Sequence, residues 1–576
     1  MSKRIKLEGR VHPMVHDLVV DLQKHRISRR NFLWTTTMLG LSATTAYSIL
    51  SQVTGEQYLM PTARAAMTPR MGGTLRCSMP VQEMTDPALF DWVEKSNVAR
   101  NIVEYLTITG PDNVTRPYLA EKWEASDDLV DWTFHLHKGI KWNNGDDFTA
   151  DHVAWNFNRW LDPATGSSNI GLFSAMTESY DTGKKDKDGK AMMSKRAIDG
   201  AVNVVDEHTI KLHMKVPQLA IPENCYNYPT AICHPKFEGN LTKNPIGTGP
   251  YMLAEHTVKS RAVLKKRKEP YWGEDLKQPY IGGPIYLDEI VYIDHGSASA
   301  AQLAAYASGQ VDTIYEFDIA SLQMAQALPN TTIFEAKTAQ TGVARMQVDK
   351  KPFDNPKLRQ AMQRCIDVDR YPKLVYGGRG EFAEHHHVCQ IHPEYYKLPH
   401  PKRDVAMAKK LMEEAGHPNG LALSIDVGNT NGPWQQQVCE LMKQELKAIN
   451  IDLSLNVMPA SKYWEIWDKT PFGFTAWTHR PLGTMVLSLG YRSGVPWNET
   501  HYNNPEFDKA LDAAEALLDV DARREKMKPV ESILQHDAVI IQPLWQPKFF
   551  VASKKVHNMT AHPTQYHQFQ RVWIEA

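Results

Sequence analysis

An arginine follows an apolar run near the end of the chain, in the stretch from Trp477 to Arg480. A guanidinium can donate two parallel hydrogen bonds to a carboxylate or phosphate, so an arginine in a cleft is suited to an anionic ligand group. Trp477 offers a flat apolar face beside it, and His479 adds a second polar side chain. Alternatively, Arg480 pairs with an Asp or Glu across an interface and orders a closed conformation. The residue types leave both interpretations open.

A loop rich in glycine and amide side chains, residues 428–434, has similar properties. Its glycines permit close approach of the backbone, Asn429 and Asn431 can donate and accept hydrogen bonds, and Trp434 offers an aromatic face. A helix cap with a surface aromatic is the alternative interpretation. Two aromatic loops at one sheet edge predict a ligand pocket more strongly than one loop alone.

Three consecutive histidines, His385–His387, stand between Glu384 and Cys389. Imidazole and thiolate suit nickel, copper or zinc. Adjacent histidines cannot all face one ion from a regular element, so a loop that lines or caps the cleft is favoured. His386 is its candidate ligand contact, and a metal site is the alternative.

The common catalytic motifs are missing from the sequence. It has no phosphate-binding loop, no H-E-x-x-H helix and no G-x-S-x-G elbow, and Gly247-Thr248-Gly249 lacks the third glycine of a dinucleotide fingerprint. We therefore predict a protein that is not an enzyme, with no catalytic residues, no resident metal and no cofactor. The alternative is a secreted hydrolase whose Ser/His/Asp triad is assembled from distant parts of the chain.

The segments that would position these loops alternate between strands and helices. Residues 421–427 and 451–457 alternate apolar and polar side chains, and the helical pattern between them places Val438, Met442 and Leu446 on one face. This order predicts a βαβ unit in a partly parallel sheet, where ligands bind outside the carboxyl ends of the strands. At 576 residues the chain should divide into two or three lobes.

The N-terminal segment, residues 1–65, has the composition of a targeting signal. Arg29 and Arg30 precede an uncharged, moderately apolar run, and Ala63-Arg64-Ala65 places small residues around a cleavable bond. This pattern predicts a twin-arginine signal peptide, export by the twin-arginine translocase, and a mature chain that begins near Ala66. A transmembrane anchor is the alternative, but the Thr and Ser content makes the run a poor hydrocarbon helix.

Charge and cysteine content narrow the classes of partner. The formal net charge of −1, with both signs mixed along the chain, argues against a nucleic-acid surface. The six cysteines form no C-x-x-C pair. An oxidising compartment permits disulfides, and Cys225 with Cys233 is the local pair that we expect to bridge, whereas Cys365 and Cys439 have the spacing of buried core thiols.

Residues 244–251, NPIGTGPY, followed by PYWG at 270–273, resemble the signature of the family 5 extracellular solute-binding proteins, the dipeptide, oligopeptide and nickel receptors of ABC importers. Shorter motifs that match the family follow one another in the same order over several hundred residues. They are YLAEKW (118–123), FHLHKGIKW (134–142), LDPATG (161–166), LRQAM (358–362) and AGHP (415–418).

This resemblance implies a two-lobed α/β periplasmic binding protein of type II, in the three-domain variant, with a hinge. By the family layout, lobe I comprises residues 66–106, 200–297 and 531–576, with an extra domain of residues 107–199 on it. Lobe II, the ligand-binding domain, comprises residues 298–530. The resemblance further implies a periplasmic monomer that binds a small-molecule ligand and delivers it to an inner-membrane ABC permease.

The residues that would hold a peptide differ from the family pattern. In peptide-binding members an aspartate shortly after a Gly-Trp or similar pair holds the peptide ammonium group, and the matching position here is Arg480. Dipeptide binders also use an arginine near the loop that corresponds to residues 429–438, where this chain has asparagines and glutamines. The sequence therefore predicts a small organic solute with an anionic or peptide-like character. A nickel or metal-chelate receptor is the alternative within transport, and a binding protein that serves a sensor or chaperone is another.

Overall fold

The computed structural model describes residues 68–575 apart from positions 91, 168–170, 186–190, 279 and 496, and five isolated positions nearer the N-terminus (18, 19, 22, 32 and 50). The predicted signal peptide therefore lies almost wholly outside the described residues. Residues 1–69 and residues 70–576 are separate units. No helix in the described part of the chain combines the length and apolarity needed to cross a bilayer.

The described chain contains both strands and helices, which alternate in some parts, whereas in others several strands follow one another. The strands are β1 (Thr74–Ser78), β2 (Thr107–Thr109), β3 (Thr115–Pro117), β4 (Ala120–Ala125), β5 (Asp131–Leu136), β6 (Thr177–Lys185), β7 (Ala191–Ala197), β8 (Val202–Asp206), β9 (Thr209–His213), β10 (Tyr251–Thr257), β11 (Arg261–Lys266), β12 (Glu289–Ile293), β13 (Thr313–Ile314), β14 (Thr331–Ala336), β15 (Thr341–Met346), β16 (Glu381–Phe382), β17 (Leu421–Val427), β18 (Ile451–Val457), β19 (Phe472–Trp477), β20 (Ile540–Ile541), β21 (Leu544–Trp545), β22 (Lys548–Ser553), β23 (Val556–His557) and β24 (Trp573–Ile574).

The α-helices are α1 (Val93–Ala99), α2 (Ala150–Leu161), α3 (Ile221–Asn224), α4 (Ser299–Ala307), α5 (Leu322–Ala327), α6 (Pro356–Arg364), α7 (Arg370–Tyr376), α8 (Val405–Glu414), α9 (Trp434–Leu446), α10 (Ala460–Trp464), α11 (Gly483–Gly490), α12 (Pro505–Glu515) and α13 (Val520–Asp537). Local capping fixes several of their starts. The side chain of Asn355 accepts from the Lys357 amide at the start of α6, and that of Asp404 accepts from Met407 at the start of α8.

Two mixed sheets dominate the fold. Sheet I has the strand order β10-β11-β12-β1-β13-β22-β14, and β1 pairs with β12 in parallel. Sheet II has the order β16-β21-β15-β19-β17-β18, with β20 paired to β15. Within sheet II, β17 and β18 are parallel and α9 connects them, so the predicted βαβ unit is confirmed. Its helix buries Val438, Met442 and Leu446, as the sequence predicts.

A smaller sheet, in the order β4-β5-β9-β8, packs against α2. Trp132, Phe134 and Leu136 of β5 are buried because alternate side chains of a strand point to the same face. Strands β8 and β9 belong to this sheet although they follow residue 199. Similarly, β13 and β14 join sheet I, and β20 and β21 join sheet II. The domain boundaries stay a prediction, and we propose moving them to follow this strand pairing.

The predicted disulfide between Cys225 and Cys233 is wrong. All six cysteines are free and buried. The side chain of Cys225 packs in the core beside the small sheet, whereas Cys233 packs in the core beside sheet I. Burial raises the pKa of both thiols, so they behave as small apolar side chains.

Candidate functional site

Three loops meet at one edge of sheet II. Strands β17 and β19 are parallel, so the loops after Val427 and after Trp477 leave the sheet on the same side. Strand β15 runs antiparallel to β19 and pairs Thr341 with Trp477, which brings residues 338–340 to that edge as well. The structure thus brings together the two loops that the sequence singles out, at the carboxyl ends of parallel strands.

Arg480 stands at this edge without a carboxylate. Its side chain is half-buried. The Nε atom is buried and makes no hydrogen bond, and none of the ion pairs found among the described residues includes this guanidinium. Burial lowers the pKa of Arg480, an effect that Tyr228 and Tyr566 oppose. Among the described residues, therefore, no Asp or Glu forms the ion pair with Arg480 that the alternative interpretation requires.

His479, the preceding residue, connects the loop after β19 with residue Ala339 and with the turn between β2 and β3. Its Nδ1 accepts from the backbone amide of Ala339 at 3.0 Å, and its Nε2 lies 3.0 Å from Oδ1 of Asn113. Burial holds the pKa of His479 well below its usual range, so the ring is neutral and Nε2 carries the proton that it donates. Asn113 also donates to the carbonyls of Pro481 and Ile391, at 2.7 and 3.3 Å.

Asn113 is suited to this position by its backbone. It occupies the turn between β2 and β3 with a φ of 60°, a left-handed conformation that asparagine tolerates better than most residues. Its amide thereby reaches three groups of the sheet II edge, more than 270 residues away along the chain. This cluster of hydrogen bonds, Asn113 with His479 and the carbonyls of Pro481 and Ile391, is called the latch below.

Trp477 is buried, with 5% of its surface exposed. Its indole N–H donates to Glu499 at 2.8 Å, and its ring contacts those of His387 and Trp497. Glu499 also accepts from Thr475 at 2.6 Å. In this conformation the buried Trp477 packs at the start of the loop that carries Arg480. Its role as a ligand contact stays a prediction.

The loop at 428–434 is organised as a helix cap. Asn429 accepts from the amide of Gln436 at 3.1 Å, which satisfies a free N–H in the first turn of α9. Asn431 accepts from Gln340 at 2.9 Å and so ties this loop to the neighbouring one. Trp434 is 5% exposed and donates to the Asn431 carbonyl at 2.7 Å. Asn429 caps α9 as the alternative interpretation expects, but Trp434 is buried in the core and not a surface aromatic. Contact of the three side chains with a ligand stays a prediction.

His386 is buried in the protein interior and does not belong to the three loops at the edge of sheet II. Its ring is fully buried, with Nε2 at 3.7 Å from carboxylate oxygens of both Glu384 and Glu531. Burial lowers the pKa of His385 and His387 to about 3. Burial likewise raises the pKa of Cys389 to about 12, which keeps that thiol protonated. Among the described residues no group of three or more His, Cys, Asp or Glu side chains is arranged to hold a metal ion.

Sequence reasoning missed the tyrosines beside Arg480. Tyr566 belongs to the C-terminal tail and lines a small pocket together with His562 and Gln568. Tyr228 follows α3 and is the other phenol that acts on Arg480. Neither lies in a motif, and only the fold brings them to residue 480.

Known proteins with the same architecture cover most of this chain. Residues 115–492 match the family described as bacterial extracellular solute-binding proteins, family 5 Middle. The chain is 26% identical to heme-binding protein A of Haemophilus influenzae over 489 residues. This alignment covers 80% of this chain and 84% of that protein.

Solved structures are similar in fold. The ABC transporter-associated periplasmic binding protein DppA from Helicobacter pylori, in complex with the peptide STSA, matches with a TM-score of 0.68 at 22% identity, over 88% of this chain and 99% of that one. The binding protein AgaA from A. tumefaciens R10, in complex with agropinic acid, matches with a TM-score of 0.67 at 21% identity, again over 88% and 99%.

Proposed function

Because the chain belongs to the family 5 bacterial extracellular solute-binding proteins, we propose that it captures a small organic solute with an anionic group at Arg480 and delivers it to an ABC import permease. Members of this family bind solutes for ABC importers outside the cytoplasm, and the two-lobed α/β fold predicted from the sequence is theirs. Beyond this family role and fold, we propose the class of solute and the location in the periplasm.

The observation that carries the proposal is the guanidinium of Arg480, which lacks a carboxylate partner among the described residues and lies at the loop edge of sheet II. Because the Nε–H is removed from water without an acceptor and no carboxylate offsets the charge, this position favours an anion from outside the chain. A guanidinium can hold a carboxylate by two hydrogen bonds. AgaA, a relative in fold, has been solved with agropinic acid, which supports an acidic solute here.

Ligand binding would be coupled to closure of the lobes. The latch joins the β2–β3 turn to the loop that carries Arg480, whose pKa Tyr228 and Tyr566 raise against the effect of burial. A ligand that bonds Arg480 and touches the opposite side would favour the closed form over the open one by its differential affinity. The permease would then recognise the closed, loaded protein.

The test is to identify the solute and measure its charge dependence. Native mass spectrometry of the protein purified from its own periplasm should detect a co-purifying small acid. Calorimetric titration of the stripped protein with sugar acids, small carboxylates, dipeptides and the neutral amides of the acids should show binding of acids in preference to amides. Binding of ordinary dipeptides, with no preference for acids, would instead make the protein a peptide receptor.

Export through the twin-arginine pathway is a second part of the proposal. We expect Arg29→Lys with Arg30→Lys to leave the precursor in the cytoplasm, because the translocase reads the paired arginines directly. Fractionation and immunoblotting of cells that carry each form would measure this, with the unchanged signal as the control. Full export of the double variant, blocked only when the general secretory channel is inactivated, would show that the signal is of the other type.

A further inference from the structure

A second arginine is buried without a counter-ion on the sheet I side of the molecule. Arg100 follows α1 and is only 4% exposed. All three of its guanidinium nitrogens are buried without a hydrogen-bond partner, and none of the ion pairs among the described residues includes it. Burial works against a guanidinium whose N–H groups have no acceptor, so an anion that accepted from them would be stabilised at this position.

Aromatic rings form the surroundings of Arg100. Its Cζ lies 3.5 Å from the ring centroid of Tyr566 and 4.5 Å from those of Tyr105 and Tyr226. Burial lowers the pKa of Arg100, but these three tyrosines raise it by more, so the guanidinium stays charged. No phenol oxygen lies in hydrogen-bond geometry with its N–H groups. The rings therefore orient the guanidinium and leave its donors free for an anion.

The signature loop of the family fixes the backbone next to Arg100. Gly249 donates to the carbonyl of Ile102 and Tyr251 donates to that of Asn101, at 2.9 and 3.0 Å. A Cβ at Gly247 would lie 1.8 Å from the Ile102 carbonyl oxygen, so only glycine permits this approach. The segment that carries Arg100 is thus held rigidly, as a ligand-binding residue requires.

Neighbouring groups do not neutralise the two arginines. Burial lowers the pKa of His562 and His567 to about 3, so both rings are uncharged. Burial also raises the pKa of Tyr566, which keeps its phenol protonated. Glu104, a nearby carboxylate in sequence, accepts instead from Tyr118 at 2.6 Å and from Trp272 at 2.8 Å.

Tyr566 connects the two cations. Its ring covers Arg100, its phenol raises the pKa of Arg480 against the effect of burial, and it lines a small pocket with His562 and Gln568. Arg100 comes from the sheet I side and Arg480 from the sheet II edge. We propose that Arg100 is a second anion-binding residue of the cleft and that the preferred solutes carry two negative charges, as dicarboxylates or phosphorylated acids do. This proposal rests on the proposed function of Arg480.

The experiment compares matched probes that differ by one charge. A series of dicarboxylic acids of increasing length, their monoamides and their diamides would be titrated by calorimetry into the wild type, Arg100→Met and Arg100→Lys at fixed salt. The wild type should bind the best diacid at least roughly 30-fold more tightly than its monoamide, since the second charge would otherwise leave one guanidinium unpaired. Arg100→Met should remove this preference and keep the affinity for the monoamide, and Arg100→Lys should retain part of the preference.

The outcomes separate this inference from the function on which it rests. Equal affinity of the wild type for diacids and monoamides would overturn the role of Arg100 while leaving an acid receptor. An unchanged diacid preference in Arg100→Met would do the same. If the wild type binds no acid of either kind, the proposed function itself fails. Thermal unfolding without ligand checks that the variants fold, and if Arg100→Met does not, the wild-type comparison of diacid and monoamide decides alone.

Discussion

Replacing Arg480 by alanine should weaken the binding of acidic solutes by roughly 30-fold to several-thousand-fold and leave their neutral amides almost unaffected. The physical reason is that the anionic group would be desolvated in the closed cleft without a partner, at a cost of about 2–5 kcal/mol. A neutral amide makes no charge-assisted hydrogen bond with Arg480, so its affinity should change little. Calorimetric titration of acids and amides at fixed salt measures both effects.

The control for this experiment is a variant that weakens closure without touching the charge. Asn113→Ala removes three hydrogen bonds of the latch, to His479, Pro481 and Ile391. Because closure accompanies binding of any ligand, it should reduce the affinity for acids and amides by the same factor. Equal loss of acids and amides in Arg480→Ala would place Arg480 with the latch, as a residue that orders closure, and would remove the argument for an acidic solute.

Substitution of Arg345 by methionine should destabilise the fold by about 3–5 kcal/mol. Arg345 and Glu499 are both buried, with Nε of the arginine 2.9 Å from Oε2 of the glutamate. The same guanidinium donates to the carbonyls of Thr470 and Trp467. Without Arg345, Glu499 remains in the core with only Thr475 and Trp477 as donors. Chemical unfolding followed by tryptophan fluorescence measures the loss.

Two further variants show whether the pair itself is responsible. Glu499→Gln combined with Arg345→Met should cost less than the sum of the single changes, because each single change leaves one buried charge unpaired and the double change leaves none. Lys122→Met, which removes an exposed ion pair with Glu124, should change the stability little. Additive losses in the double variant would mean that the two residues act through packing alone.

Several features of this protein follow from the sequence alone, because they depend on local patterns. Alternation of apolar residues predicts β17 and β18, and a helical repeat between them predicts α9, so the βαβ unit is confirmed in its strands, helix and parallel pairing. The caps at Asn355 and Asp404 depend on side chains two or three residues from the amides that they bond. The family motifs are contiguous stretches, and they identify the two-lobed class.

The partner of each site residue, in contrast, is decided by the tertiary structure. The sequence leaves open whether Arg480 pairs with a carboxylate, and only the fold leaves its Nε buried without a partner. Asn113 bonds His479 from 366 residues away, and Arg100 lies under Tyr566 of the C-terminal tail. The local patterns at Cys225 and Cys233 predict a bridge that the packing of two separate cores excludes.

The physical reason for this division lies in the range of the interactions. Strand alternation, helical periodicity and capping act between residues a few positions apart, so the sequence carries their full description. Whether a buried charge is paired depends on which side chains hundreds of residues away are packed against it, and on how much water the packing removes. The neighbours of a buried charge and its exposure to water are therefore determined only when sheet I, sheet II and the loops between them are assembled.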